Sequence, residues 1–309
     1  MYRHFFNLRQ EPFGIVPDPQ FFYPTDGHNE AAAGLLYGIH ARKGLMVLSG
    51  EVGTGKSLIL RCLLQSLDRE RIAHALIVHS RMSTQELLHF ALESLGLHSP
   101  PTSKAELLLR LNWFLTRRDL QGLTTVFVID EAQHLSVDTL EEIRLLTNLE
   151  APKTKLLQIV LAGQPELDVK LDTFELRQLK QRIAMYFQLR PLSEQQTSSY
   201  ILSRLKTAGC SSDGLFSSEA CQRIFAFSQG VPRLINVLCE NALVCCYAHG
   251  ERRVTSEMVD EIAADLRLKA FSAEEAARPE AAAPALQMAS HFARNPTPEV
   301  NRGPNLSGA

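Results

Sequence analysis

Eight consecutive residues, Gly50-Glu-Val-Gly-Thr-Gly-Lys-Ser57, restrict what this chain can fold into more than any other segment. They match GxxxxGK[ST], and they sit between an apolar run that reads as a strand (Leu45–Ser49) and a helical pattern (Ser57–Leu67). Glycines 50, 53 and 55 let the backbone curl until successive N–H groups face inward, and the start of the helix adds partial positive charge. Together these features make a cradle for phosphate oxygens. Lys56 is then placed to reach β- and γ-phosphates, and the Ser57 hydroxyl is a hard oxygen ligand suited to Mg²⁺.

From residue 44 to 190, short apolar runs alternate with helical patterns, the rhythm of an α/β sheet with parallel strands. Five strands are predicted, over 44–50, 72–80, 124–131, 155–163 and 184–189, mostly without polar alternation, as suits strands covered on both faces. Ser83-Thr-Gln-Glu86 and Ser103-Lys-Ala-Glu106 read as capping boxes, so two helices separate the second and third strands. After Pro191 the strand signal stops. Helices are predicted near 194–208, opening on the box Ser193-Glu-Gln-Gln196, and near 217–228, 232–248 and 255–268. Ahead of the sheet, the prolines between Glu11 and Pro24 forbid a long helix and predict an extended arm, followed by a helix over about 29–40. The last 39 residues, 271–309, hold ten Ala and five Pro and read as a disordered tail.

Charge and composition exclude several classes. With 32 Lys+Arg against 34 Asp+Glu, the formal net charge is −2, which disfavours a polyanion-coating protein. The longest apolar runs, Val126–Ile129 and Leu156–Ala162, fall far short of the ~20 residues that cross a bilayer as a helix. The N-terminus lacks the apolar core of a secretory signal, so a cytoplasmic location is expected. Cys62, Cys210, Cys221, Cys239, Cys245 and Cys246 contain no CxxC pair and read as reduced core residues rather than a zinc site.

The second chemical element is Thr124-Thr-Val-Phe-Val-Ile-Asp130-Glu131, an apolar strand ending in two carboxylates at the edge where parallel sheets bind ligands. Asp130 is expected to complete a Mg²⁺ shell. Glu131, projecting to the other side of the strand, is placed to orient and deprotonate an attacking water. Gln164, just past the fourth strand, either hydrogen-bonds the γ-phosphate or that water, or is simply the polar residue a strand-to-helix loop carries. Arg182 ends a helix before the fifth strand, where a ring-forming protein would present a cation to its neighbour's nucleotide. Arg233 follows Pro232 at a helix start, where a cation opposes the local dipole and a phosphate would explain it. For both, a solvated or salt-bridged arginine is the alternative, and it is the preferred reading for Arg177.

In this order the segments resemble the AAA+ ATPases, and within them the general-secretion-pathway A (ExeA-type) group. The marks are Pro12-Phe13, Pro17-Asp-Pro-Gln-Phe-Phe22, Gly50–Ser57, Asp130-Glu-Ala-Gln133, Leu161-Ala-Gly-Gln-Pro-Glu-Leu167, Leu176–Arg182 and Gly230-Val-Pro-Arg-Leu-Ile-Asn236. The resemblance covers residues 1 to about 268. It implies an α/β P-loop NTPase (AAA+) three-layer sandwich with a parallel sheet of order 5-1-4-3-2, followed by a small all-helical lid. The implied divisions are an arm and helix contributing to the nucleotide pocket (1–43), the ATPase core (44–191), the lid (192–269) and the tail (270–309).

The same resemblance implies ATP and Mg²⁺ as cofactors. It assigns nucleotide contacts to Gly50, Glu51, Val52, Gly53, Thr54, Gly55, Lys56, Ser57 and Asp130, with Ser57 and Asp130 on the metal and adenine against the arm and lid. Catalytic roles fall to Glu131, Lys56, Gln164 (sensor 1), Arg182 (arginine finger) and Arg233 (sensor 2). The expected activity is ATP hydrolysis by a homo-oligomer that assembles or remodels a secretion, pilus or polysaccharide-export complex, with a protein of that system as partner. Relatives in type II secretion continue into a transmembrane helix and a peptidoglycan-binding domain, whereas this sequence continues into its Ala/Pro tail. The alternative is an ATP-dependent DNA-binding regulator of transposition resembling MuB and TniB, with local patches at Arg69/Arg71, Arg117-Arg118 and Arg252-Arg253.

Overall fold

Five apolar segments pair into one parallel sheet: β1 (Leu45–Gly50), β2 (Ile72–Ile77), β3 (Thr124–Ile129), β4 (Leu157–Gly163) and β5 (Ile183–Leu189). This computed structural model describes residues 1–78, 81–98, 103–152, 154–210 and 214–270, and the tail expected to be disordered lies outside them. The strand order is β2-β3-β4-β1-β5, the arrangement expected. A two-residue antiparallel ribbon, Glu150–Ala151 with Thr154–Lys155, precedes β4 and divides the strand predicted over 155–163. Gln158 stays satisfied inside β4, accepting from the Gly44 N–H at 2.8 Å and donating to the Lys155 carbonyl at 2.9 Å.

β1, β3 and β4 are buried along their whole length, and their side chains alternate between two core layers. Leu45 and Val47 face one layer, Met46 and Leu48 the other. β5 departs from the expected double coverage. Its burial alternates, with Ala184, Tyr186 and Gln188 exposed, because it closes the sheet edge and α2 covers only one of its faces.

Helices follow the chain as α1 (Tyr2–Phe5), α2 (Asp26–His40), α3 (Lys56–Ser66), α4 (Thr84–Ser94), α5 (Lys104–Leu120), α6 (Val137–Leu146), α7 (Pro165–Leu171) and α8 (Arg177–Lys180). α2 and α3 cover one face of the sheet and α4 to α8 the other, giving three layers. α2 starts earlier than the sequence pattern indicates, because Thr25 caps it by accepting from the His28 N–H. Gly34 and Gly38 flatten its inner face: a Cβ there would lie 2.2 Å from Phe187 Cζ and 2.3 Å from Met46 Sδ. The capping box of α4 is complete. At α5, Ser103 accepts from the Glu106 N–H, while the Glu106 carboxylate accepts from Arg110 at 3.0 Å.

The helical domain consists of α9 (Glu194–Thr207), α10 (Ser218–Ser228), α11 (Pro232–Ala248) and α12 (Ser256–Asp265). Its core includes the arm: Tyr2, Phe6, Leu8, Phe13 and Phe21 are buried with Ile201, Leu238 and Cys239. All six cysteines are unpaired, and Cys221, Cys239 and Cys246 lie in this core. A buried arginine joins arm to lid. Arg204 donates to the Pro12 carbonyl and to Tyr200 Oη, which in turn donates to Asn236 Oδ1 at 2.9 Å. Its guanidinium also lies 4.6 Å from the Phe21 ring centre. Among the described residues, no helix is long and apolar enough to cross a membrane.

Arg204→Met keeps most of the bulk but leaves the Pro12 carbonyl without its donor. It should lower unfolding free energy by about 2–4 kcal/mol, read from urea denaturation, since hydrogen bonds to charged groups and cation–π contacts both disappear. An unchanged denaturation midpoint would show that arm and lid are held by apolar packing alone.

Candidate active site

The tips of β1, β3 and β4 meet at one edge of the sheet, Ser49 beside Gly163 and Ile129 beside Leu161. The loop leaving β1 passes through Gly53 at φ +81° and Gly55 at φ +107°, a left-handed backbone that disfavours side chains. Lys56 follows at the start of α3. It is 6 % exposed, and its Nζ donates to the carbonyls of Gly50 at 2.6 Å and Glu51 at 2.9 Å. Thr54 Oγ1 also donates to the Glu51 carbonyl, at 2.8 Å, which tightens the turn, while Val52 at its tip is half exposed.

Asp130 stands directly across. Its Oδ2 accepts from the Ser57 hydroxyl at 2.8 Å and its Oδ1 from the Glu131 N–H at 2.9 Å. Its own N–H donates to the Ile77 carbonyl, so strand geometry fixes its position even though β3 ends at Ile129. Glu131 is aimed differently from the sequence expectation. It lies past the strand in a left-handed conformation (φ +54°), so side-chain alternation along β3 does not set its direction. Instead its Oε2 accepts from Gln164 Nε2 at 3.0 Å and from Gln133 Nε2 at 2.6 Å. Gln164 therefore meets the carboxylate here.

Burial opposes the charged forms of two groups. Desolvation lowers the Lys56 pKa against the attraction of Glu131, Asp130, Glu51 and Glu166, and it raises that of Asp130 despite the bonds from Ser57 and the Glu131 N–H. At Glu131, burial pushes upward but is outweighed by the bonds from Gln133 and Gln164 and by the charge of Lys56, so its pKa falls. A buried ammonium donating to two carbonyls, beside a buried carboxylate accepting from a hydroxyl and an N–H, fits a phosphate group with a divalent cation. Ser57 and Asp130 carry the hard oxygen atoms that would hold such a cation.

Two further residues belong to the site although the sequence reading passed over them. His28 of α2 is buried under the loop. Its Nε2 lies 3.0 Å from the Thr54 carbonyl, an acceptor only, and its Nδ1 lies 2.6 Å from Thr25 Oγ1. Nε2 must therefore carry the proton, which assigns the neutral tautomer with Thr25 donating to Nδ1. Nothing in a helix-borne histidine signals this role before the fold places it. Gln133 did carry a signal, its position two residues after Glu131.

The helix start of the lid abuts the loop on its other side. A Cβ on Gly53 would lie 2.7 Å from Arg233 Cβ and 3.1 Å from Val231 Cγ1, so Arg233 rises beside the phosphate cradle. Arg182 is not part of this cluster. It precedes β5, which runs parallel to β1 with Ile183 beside Leu45 and Leu189 beside Gly50, so it lies at the opposite end of the sheet. Seven strand residues, about 23 Å at ~3.3 Å each, separate it from the loop edge. Its guanidinium is 3.8 Å from Glu150. Arg177 stacks 3.7 Å over the Phe174 ring at the surface.

The phosphate loop, the carboxylate pair on the neighbouring strand tip and the helical cap define a P-loop protein of the AAA class, and residues 39–171 match the family described as AAA domain. Over 256 residues, 82% of the chain, the sequence is 41% identical to General secretion pathway protein A of Aeromonas hydrophila. The chain therefore belongs to the general-secretion-pathway A (ExeA-type) family of AAA+ ATPases. It spans 46% of that relative's length. Solved structures share the fold. Cdc6p of Pyrobaculum aerophilum superposes with TM-score 0.65 at 22% identity, covering 84% of this chain and 74% of that one. The ORC2 protein of Aeropyrum pernix, in ADPNP-ADP complexes, gives TM-score 0.60 at 12% identity, covering 83% and 73%.

The His28 contacts carry a pH dependence. Burial lowers its pKa from the ordinary 6.5 and outweighs the opposing bond to Thr54. Below pH 6.5 the unfolded chain thus binds a proton that the folded chain resists. Stability is fully present above that value and falls as pH drops from it toward the lowered folded pKa. Denaturation midpoints of wild type and His28→Ala between pH 7.5 and 5 should diverge at neutral pH and converge in acid, where the midpoint scan is the measurement. Parallel curves would rule out this role for His28.

Proposed function

We propose that the chain is a Mg²⁺-dependent ATPase that oligomerises and couples hydrolysis to assembling or remodelling a secretion, pilus or polysaccharide-export complex. The observation that carries the reading is the convergence of Lys56, the Ser57–Asp130 pair and an oriented Glu131 carboxylate at one strand edge. When bound, ATP with its cation supplies the scissile phosphoanhydride and the neutralising charge. Lys56 would leave the Gly50 and Glu51 carbonyls to hold phosphate oxygens, and Ser57 and Asp130 would hold the cation. Glu131 takes the proton from the attacking water as its oxygen bonds to the γ-phosphorus and the bridging P–O bond breaks. Gln164 and Arg233 act as sensors on the two sides of the loop, and Arg182 completes the site of a neighbouring subunit. The name of the relative supports a secretion-related partner.

The DNA-binding alternative draws less support. Arg118 donates to the Arg71 and Thr124 carbonyls, Arg71 pairs with Asp68 at 3.7 Å, Arg117 lies over Trp113, and Arg252 lies over Phe5, so four of the six arginines on which it depends are engaged within the chain.

Glu131→Gln should keep nucleotide affinity within about twofold while lowering turnover by ~10²–10⁴-fold, measured by fluorescent-nucleotide titration and phosphate release. Wild-type turnover in that variant would overturn the mechanism. Arg182→Ala should lose turnover alone and regain part of it when mixed with Glu131→Gln subunits, because each variant supplies what the other lacks. No recovery on mixing would remove the role of Arg182 in a neighbour's site.

A further inference from the structure

We propose that Gln133 is a positioning residue for hydrolysis, a side chain that fixes the direction of the Glu131 carboxylate and ties it to the Gln164 strand tip. The proposal rests on the ATPase reading of the same site. Gln133 lies in the 3₁₀ turn Ala132–His134 that follows β3, and it is buried, 8 % exposed. Its Oε1 accepts from the Gln164 backbone N–H at 3.2 Å. That group is a donor only, so the amide oxygen must face it and the amide NH₂ must face the other way. The other way is Glu131 Oε2, at 2.6 Å. The amide orientation follows from chemistry and not from a choice between similar atoms.

The turn is itself held in place. Lys170 of α7 donates from Nζ to the Gln133 carbonyl at 2.6 Å and to the Leu135 carbonyl at 2.8 Å. Gln133 also fits closely against β4, since a Cβ on Gly163 would lie 3.1 Å from its Oε1. Its side chain thus has one place to go. This matters because Glu131 sits beyond the end of β3 with a left-handed backbone, so side-chain alternation along the strand does not set its direction. Gln133 and Gln164 deliver two N–H donors to one carboxylate oxygen from the two sides of the β3–β4 gap. General-base catalysis depends on direction as much as on basicity, and a misplacement of ~1 Å can cost about 100-fold in rate.

The test compares Gln133→Met, which keeps length and bulk without a donor or acceptor, with Gln133→Glu, which keeps shape and sets a carboxylate against Glu131. The readouts are kcat, KM for ATP, fluorescent-nucleotide affinity and thermal midpoint, with Glu131→Gln alongside. Both Gln133 variants should lose kcat by about 10- to 100-fold, while KM and nucleotide affinity stay within about twofold. Gln133→Glu should be the lower of the two. If either variant fails to fold, as its thermal midpoint shows, the other decides. Wild-type kcat in the folded Gln133 variant while Glu131→Gln is inactive would overturn the positioning role alone. A raised KM with kcat unchanged would also overturn it, placing Gln133 in nucleotide binding. Wild-type kcat in Glu131→Gln would instead overturn the ATPase reading on which the proposal stands.

Discussion

A phosphate loop is a stretch of backbone that must stay curled with its N–H groups facing inward, and such a curl has no secondary structure of its own to hold it. Here it is gripped from both sides. His28 donates to the Thr54 carbonyl from beneath, and the Val231–Arg233 helix start presses on Gly53 from the lid side. Both grips trace to the same half of the molecule, because the arm that leads into α2 is buried in the lid core and anchored there by Arg204. A shift of the lid therefore reaches the loop twice, once directly through α11 and once through the arm and His28. The glycines at 53 and 55 are needed for the left-handed turn and, equally, for the closeness of these two partners.

The loop edge also sets a contest between burial and charge. Moving Lys56 and Asp130 out of water disfavours both charged forms, and internal hydrogen bonds recover only part of the loss. Glu131 goes the other way because two amide donors and the Lys56 charge outweigh its desolvation. The site thus keeps one carboxylate ionised and directional while leaving a cation and an acid in want of counter-charges. That pattern suits a ligand carrying both signs.

Much of this was legible in the sequence because the signals were local. The loop GxxxxGK[ST], the non-alternating strands β1, β3 and β4, and the caps at Ser83 and Ser193 depend on neighbours within a few residues. What escaped depends on tertiary context. β5 is no less apolar in sequence than a central strand, and only its place at the edge exposes Ala184 and Tyr186. Glu131 was expected to be aimed by strand alternation, but β3 stops two residues earlier and side-chain amides take over. His28 lies 26 residues from the carbonyl that it holds, a distance over which no sequence pattern speaks.

The position of Arg182 follows from topology and constrains any role it has. In a parallel sheet every strand enters at one edge and leaves at the other, so a residue just ahead of β5 is at the entry edge while the loop after β1 is at the exit edge. Bending cannot bring it round, since β5 is hydrogen-bonded to β1 over its whole length. Under the proposed reading, an arginine at that edge reaches a loop-bound phosphate only on a different copy of the chain. Its partner within the chain is Glu150, on the ribbon that interrupts the approach to β4, at 3.8 Å and partly exposed, an arrangement weak enough for a phosphate to displace. Oligomerisation and hydrolysis are then linked by geometry: under the proposed reading, a single copy holds the loop, the cation ligands and the base, while its own sheet carries Arg182 to the opposite end.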